Sequence, residues 1–450
     1  MDIIFNLVSK FWRHKLFPYA LFIILWIAAN YIALPSGITL SLIDRNVIGI
    51  PFAFLFTLII IWMQKVPITP KGRVGLIFAI RAETDLLRKR VSSDIVATTR
   101  ESLKQTPSSY SIHVIELDDV RSNKILDPNA AEQIRIKCRA HIVIYGEAKS
   151  RHDQGKEYYV LKLDGVIAHA PIPLETSHAL ATEMKDLLPL KEKIEHDNEI
   201  SGFEITSLQM GESIKYVIAT AALLTGDGLL AVGLLEDIYN NRIKISKYRR
   251  IKSVKKLMRM TPLRLGDAYA FMSRVSYSKW ESSRDLNDLR EAISWIEKNR
   301  KVSKESLEYF LLKAIEAFAI NNNIQSSKHY ISKCQAKYLS NPSWRYSAAF
   351  LSAIEGDIDK ALDYYNSLQP LESSHILPFQ VEGFIDWALS KDPTCNELNF
   401  CLGYLNDQLK GDTRSAIKYF NIYLTGKNKV PSNSKRSIKY SEDYVRKHLK

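Results

Sequence analysis

The chain has 450 residues, a 46% apolar composition and a net charge of +13. That length allows two or three separate units, each with its own core, and the charge suits anionic lipid or, as a second candidate, nucleic acid. Its four cysteines, Cys138, Cys334, Cys395 and Cys401, have no CxxC spacing, which argues against a disulfide framework or a zinc module.

First in chain order come two apolar runs, Leu16–Leu34 and Val47–Met63, free of Asp, Glu, Lys and Arg. Each approaches the roughly 20 residues that span a bilayer core. Lys10, Arg13 and Lys15 precede the first run, and Lys65, Lys71 and Arg73 follow the second. The connector Pro35–Asn46 carries only Asp44 and Arg45. Because basic residues stay on the cytoplasmic side, residues 1–66 are expected to form a transmembrane hairpin with both ends inward. The rest of the chain is then expected on the cytoplasmic face of an inner membrane.

Residues 72–175 read as an α/β domain. Val74–Ile80 is a short apolar run, as in a buried strand, and Asp85–Gln105 repeats its apolar residues at helical spacing. Ser111–Leu117 alternates like a half-buried strand. Asp127-Pro128 is a helix start signal for a segment reaching Arg139. Ala140–Tyr145 predicts a strand broken at Gly146, and Tyr158–Leu163 another, with Lys149–Lys156 as the polar connecting loop. Strand–helix–strand–helix–strand–strand implies a mixed sheet covered by helices. The stretch from Ala140 to Gly146, followed by Val160 to Asp164, resembles the TolB amino-terminal and CsgG/FlgO-like α/β domains. There an A-D-x-V-(V/L)-x-G strand precedes one ending in L-x-D. The resemblance implies the fold and brings no catalytic residue; His141 stands where that pattern often has Asp.

From 201 to 426 the chain predicts an all-α array. One spacing recurs: a turn residue, then a small residue, then a bulky apolar one. It is met as Gly226, Ala231, Leu235; Asn287, Ala292, Ile296; Asn322, Ser327, Ile331; Gly356, Ala361, Tyr365; and Gly411, Ala416, Phe420. The intervals Asn287–Asn322 and Asn322–Gly356 are 35 and 34 residues, the period of tetratricopeptide (TPR) helix–turn–helix units. The turn residue is expected to end the first helix in a left-handed conformation. The small one lets the second helix approach closely. These segments resemble TPRs with a degraded consensus, and the period fails around 236–280 and 370–398. Such stacks present a concave surface that binds a protein partner.

Arg242–Arg259 is the densest charged stretch. Arg242, Lys244, Lys247, Arg249, Arg250, Lys252, Lys255, Lys256 and Arg259 alternate with apolar residues and no acid. On one helix they would make a basic amphipathic face for anionic lipid or nucleic-acid phosphates. Residues 427–450 read as a basic tail entered through Pro431-Ser432-Asn433-Ser434. No phosphate-binding, nucleophile-elbow or zinc-protease motif is present, so neither catalysis nor a cofactor is expected. Asp118-Asp119 and Asp357/Asp359 fall at turns, where Asp caps helices. The chain thus reads as a membrane-anchored adaptor that grips a protein partner, with an α/β domain for sensing or self-association. The alternatives are a membrane-disrupting effector of a bacterial defence system and a nucleic-acid binder using 242–259.

Overall fold

The computed structural model describes residues 66–104, 112–153, 156–168, 192–195, 199–246, 251–368, 378–426 and 434–448, with isolated positions elsewhere. The chain divides into two compact units. One comprises Met1–Thr225 with Asn240–Leu257, the other Gly226–Tyr239 with Met258–Lys450.

The expected two-helix anchor finds no support among the described residues. Both apolar runs lie almost wholly outside the described residues, and among the described residues no helix is long and apolar enough to cross a membrane.

The first unit holds a five-stranded mixed sheet in the order β2-β1-β3-β4-β5. Its strands are β1 (Val74–Ala82), β2 (Ile112–Glu116), β3 (Ile142–Asp153), β4 (Lys156–Ile167) and β5 (Glu192–Glu195). β1 pairs in parallel with β2 and β3, and β3–β4–β5 pair antiparallel. In β1, Leu76, Ile77, Phe78 and Ala79 are all buried, the continuous apolar signature of a strand covered on both faces. A helical run follows it: α1 (Asp85–Arg90), a π segment (Val91–Ala97) and α2 (Thr98–Lys104). Thr84 caps its start, with the Leu87 N–H donating to Oγ1 at 3.2 Å. After the short α3 (Asp119–Ser122), capped by Asp118, comes α4 (Pro128–Lys137), where the Ala130 N–H donates to the Asp127 carboxylate at 2.8 Å. Ile77, Val143 and Tyr145 share a core with Ala131 of α4.

Gly146 does not break its strand: β3 runs through it for 12 residues. A Cβ there would lie 2.0 Å from the Lys162 carbonyl oxygen, so glycine serves a close approach of β4 rather than a turn. The expected loop is also shorter than Lys149–Lys156, since the ladder continues to Asp153 opposite Lys156.

The helices that follow are α5 (Glu199–Leu224), α6 (Gly228–Ser246), α7 (Lys252–Ser283), α8 (Leu286–Val302), α9 (Leu307–Ala319), α10 (Ile324–Lys337), α11 (Ser343–Ile354), α12 (Ile358–Asn366), α13 (Pro378–Lys391), α14 (Glu397–Tyr404, continued by a π segment to Lys410), α15 (Thr413–Thr425) and α16 (Lys435–His448). In the second unit, α9/α10, α11/α12 and α14/α15 pack as hairpins. α7 and α8 meet through the Ser273 hydroxyl, which donates to the Ala292 carbonyl at 2.8 Å, and through stacked Tyr269 and Trp295.

The expected basic tail is a helix. Arg436 of α16 reaches Asp363 through both terminal guanidinium nitrogens at 2.9 and 2.7 Å. Ser437 N–H donates to Asp359 at 2.9 Å, and Tyr440 and Tyr444 pack on Phe420. An amphipathic helix of this kind closes the exposed apolar face of the last repeat.

Candidate binding groove

The turns that open α6, α10, α12 and α15 share a simple local recipe. A residue in the left-handed region is followed at once by an Asp or Asn whose side chain caps the next helix. Gly226, Asn322, Gly356 and Gly411 have φ of 86°, 49°, 80° and 67°. Asp227, Asn323, Asp357 and Asp412 then accept N–H donations at 3.1, 2.9, 3.2 and 3.1 Å. Four residues after each cap stands Ala231, Ser327, Ala361 or Ala416, all buried. Ser327 also donates from its hydroxyl to the Ala314 carbonyl at 2.9 Å across the hairpin. The bulky members Leu235, Ile331, Tyr365 and Phe420 are buried as well.

Asn287 departs from the expectation. It lies inside α8, and the left-handed residue is Arg284, with φ 55°. Asp285 is the cap, accepting from the Asn287 N–H at 2.9 Å. Ala292 and Ile296 remain buried, so α8 begins about one helical turn earlier than the other second helices. The strong Asn signal for a turn masked a cap two residues upstream.

The basic stretch does not form one helix. Arg242 and Lys244 lie in the last turns of α6, and Lys252, Lys255, Lys256 and Arg259 in the first turns of α7. Lys247, Arg249 and Arg250 are outside the described residues. On α7, Val254 and Leu257 are buried while Lys252, Lys255 and Arg259 are exposed, the ordinary division of an amphipathic helix.

One concavity of the second unit is an apolar-lined cleft of about 270 Å³. Most of its wall comes from the first helices. α7 contributes Ser273, Arg274, Tyr277 and Glu281, spaced to share a face. α9 contributes Glu308, Leu311, Ile315 and Phe318, and α11 Tyr346, Ser347 and Phe350. α13 adds Gln380, Val381 and Phe384. Leu311, Ile315, Phe318, Val381 and Phe384 are only half-buried, so the cleft floor is apolar surface left open. The rings of Phe318, Phe350 and Phe384 pack on one another with centroids 5.0, 5.0 and 6.1 Å apart, which stiffens the floor.

Polar groups sit at the margins. The exposed pair Arg274–Glu308 is 3.8 Å apart, a distance and exposure that confer little stability. Glu281 accepts from the Gln380 amide nitrogen at 3.3 and 3.2 Å. Burial holds its carboxyl above the usual range, against the hydrogen bond from Gln380 and the charge of Arg284. The Arg284 guanidinium lies over the Trp280 ring, 4.9 Å from its centroid. Of the residues singled out from sequence, Ser327 of the packing positions and Ile296 of the bulky ones touch the cleft. The lining was missed because repeat spacing marks residues that hold helices together, whereas groove residues occupy the opposite stripe. The i, i+3, i+4, i+7 recurrence of Leu311, Ala314, Ile315 and Phe318 was the available signal.

No protein-family model, no curated protein and no solved structure matches the chain. The assignment to TolB amino-terminal or CsgG/FlgO-like domains is therefore withdrawn. The mixed sheet and the helical hairpins rest on the structure itself.

Proposed function

We propose that the chain is an adaptor, a binding protein rather than an enzyme, and that its TPR-like helical array holds a segment of a partner protein in the α7/α9/α11/α13 cleft. The observation carrying this reading is the half-buried stripe Leu311, Ile315, Phe318 and Phe384 around a cleft of about 270 Å³. Open apolar surface of this kind, rimmed by polar groups, marks an interaction site. A groove between stacked helices suits an extended or helical peptide carrying apolar anchors. The test is a comparative pull-down with the full-length chain and its Ile315→Glu variant, both first shown to melt alike. The reading expects a protein captured by the wild type and lost with Ile315→Glu. Equal capture by both would remove the cleft from the function.

A further inference from the structure

Glu281 is the acidic group on the cleft wall that forms no ion pair among the described residues, although the charge of Arg284 reaches it from farther off. Its oxygens share a single neutral donor, the Gln380 amide. No basic side chain of the described residues forms an ion pair with it, whereas Glu308 across the cleft has Arg274. Arg284 acts on Glu281 through its charge without an ion pair. It stacks on Trp280 and is pressed against α13, where a Cβ on Gly383 would lie 3.0 Å from its Nη2. A half-buried carboxylate can accept several more hydrogen bonds, and desolvation makes the missing ion pair costly. Burial accordingly pushes the Glu281 carboxyl upward. Beside it lie Tyr277, one turn earlier on α7, and the aromatic floor. An aromatic floor next to a carboxylate favours a cation on an apolar stem.

We propose that the occupant is a protein segment in which a large apolar side chain is followed closely by Lys or Arg: the apolar group fills the space between Ile315, Phe318, Phe350 and Phe384, and the basic head lies against Glu281. This deepens the groove reading and rests on it. The charge arrangement also disfavours an acidic segment, since a carboxylate brought beside Glu281 would meet like charge.

The experiment titrates the full-length chain with three fluorescent synthetic peptides of one apolar pattern, bearing Lys, Gln or Glu at the polar positions. The Lys peptide is expected to bind best and the Glu peptide worst. Glu281→Gln should reduce the preference for Lys over Gln about tenfold, the size of one lost charge contact, with the Gln peptide nearly unaffected. Glu281→Lys should turn the preference toward the Glu peptide. Binding of all three alike, or a preference that survives in Glu281→Gln, overturns the proposal. So does failure of every peptide to bind. The pull-down with Ile315→Glu then decides separately whether the groove reading falls too.

Discussion

The sheet unit and the helical array bury apolar side chains in different ways. In β1, neighbours along the chain face opposite sides of the sheet, and both sides are covered, so Leu76, Ile77, Phe78 and Ala79 are all spent on the core. In the array, each first helix carries two apolar stripes. On α9, Phe310 and Ala317 are buried away from the cleft, while Leu311, Ile315 and Phe318 line it half-buried. A layer covered on both faces has no such stripe to spare. A stack of hairpins always does, because each first helix packs on its partner and leaves an inner face open.

Substitutions can break this contrast. The largest loss is expected for Phe420→Ala, whose ring fills the space left by Gly403 and packs on Phe400 and Tyr444. Truncation there should lower stability by about 4 kcal/mol, and Leu76→Ala in β1 by about 3 kcal/mol, both read from urea unfolding. Gly146→Ala comes next. Its methyl would meet the Lys162 carbonyl oxygen at 2.0 Å, so β3 and β4 must separate locally, at about 2 kcal/mol. Hydrogen exchange should confine that loss to the β3/β4 ladder. Ile315→Ala, also an apolar truncation, should cost under about 1 kcal/mol because its side chain is already half open to solvent. A loss as large as that of Phe420→Ala would mean that the inner stripe belongs to the core.

Thiol chemistry sharpens the comparison further. Burial pushes the Cys334 and Cys401 thiols up to about 12, so both should react slowly with an alkylating probe in the folded chain and quickly in urea. The smallest effect is a pH response of the sheet unit. The His141 ring accepts at Nδ1 from the Gly75 N–H at 3.0 Å, which only the unprotonated nitrogen can do. Desolvation and the nearby Arg135 hold its imidazole below the ordinary value of about 6.5. The folded form thus binds the proton less readily than the unfolded form. The contribution is complete above about pH 6.5 and lost as pH falls toward the folded value. A His141→Gln chain should show a flatter decline in melting temperature over that window.

Much of the sheet was legible because its signals are local. Asp127-Pro128 names its own helix start, and the apolar run at Val74 names a covered strand. The helix pairs were legible through Gly356-Asp357 and Gly411-Asp412, where a left-handed residue and a cap stand side by side. What escaped depends on partners distant in sequence. Gly146 reads as a break until β4 is seen to cross it. The polar sequence of α16 reads as a tail until Asp359 and Asp363 supply its contacts. α13 lies outside the repeat spacing, so Gln380 and Phe384 could not be assigned to the cleft from periodicity. The charge at Glu281 acquires meaning only once Arg284 is found stacked on Trp280.

Site-specific photo-crosslinking of the full-length chain tests the central claim most directly. A photoreactive residue at Leu311 in the cleft should trap a partner protein, and the same residue at Lys360, exposed on α12 outside the cleft, should not. Equal trapping at both positions, or trapping at Lys360 alone, would contradict the account.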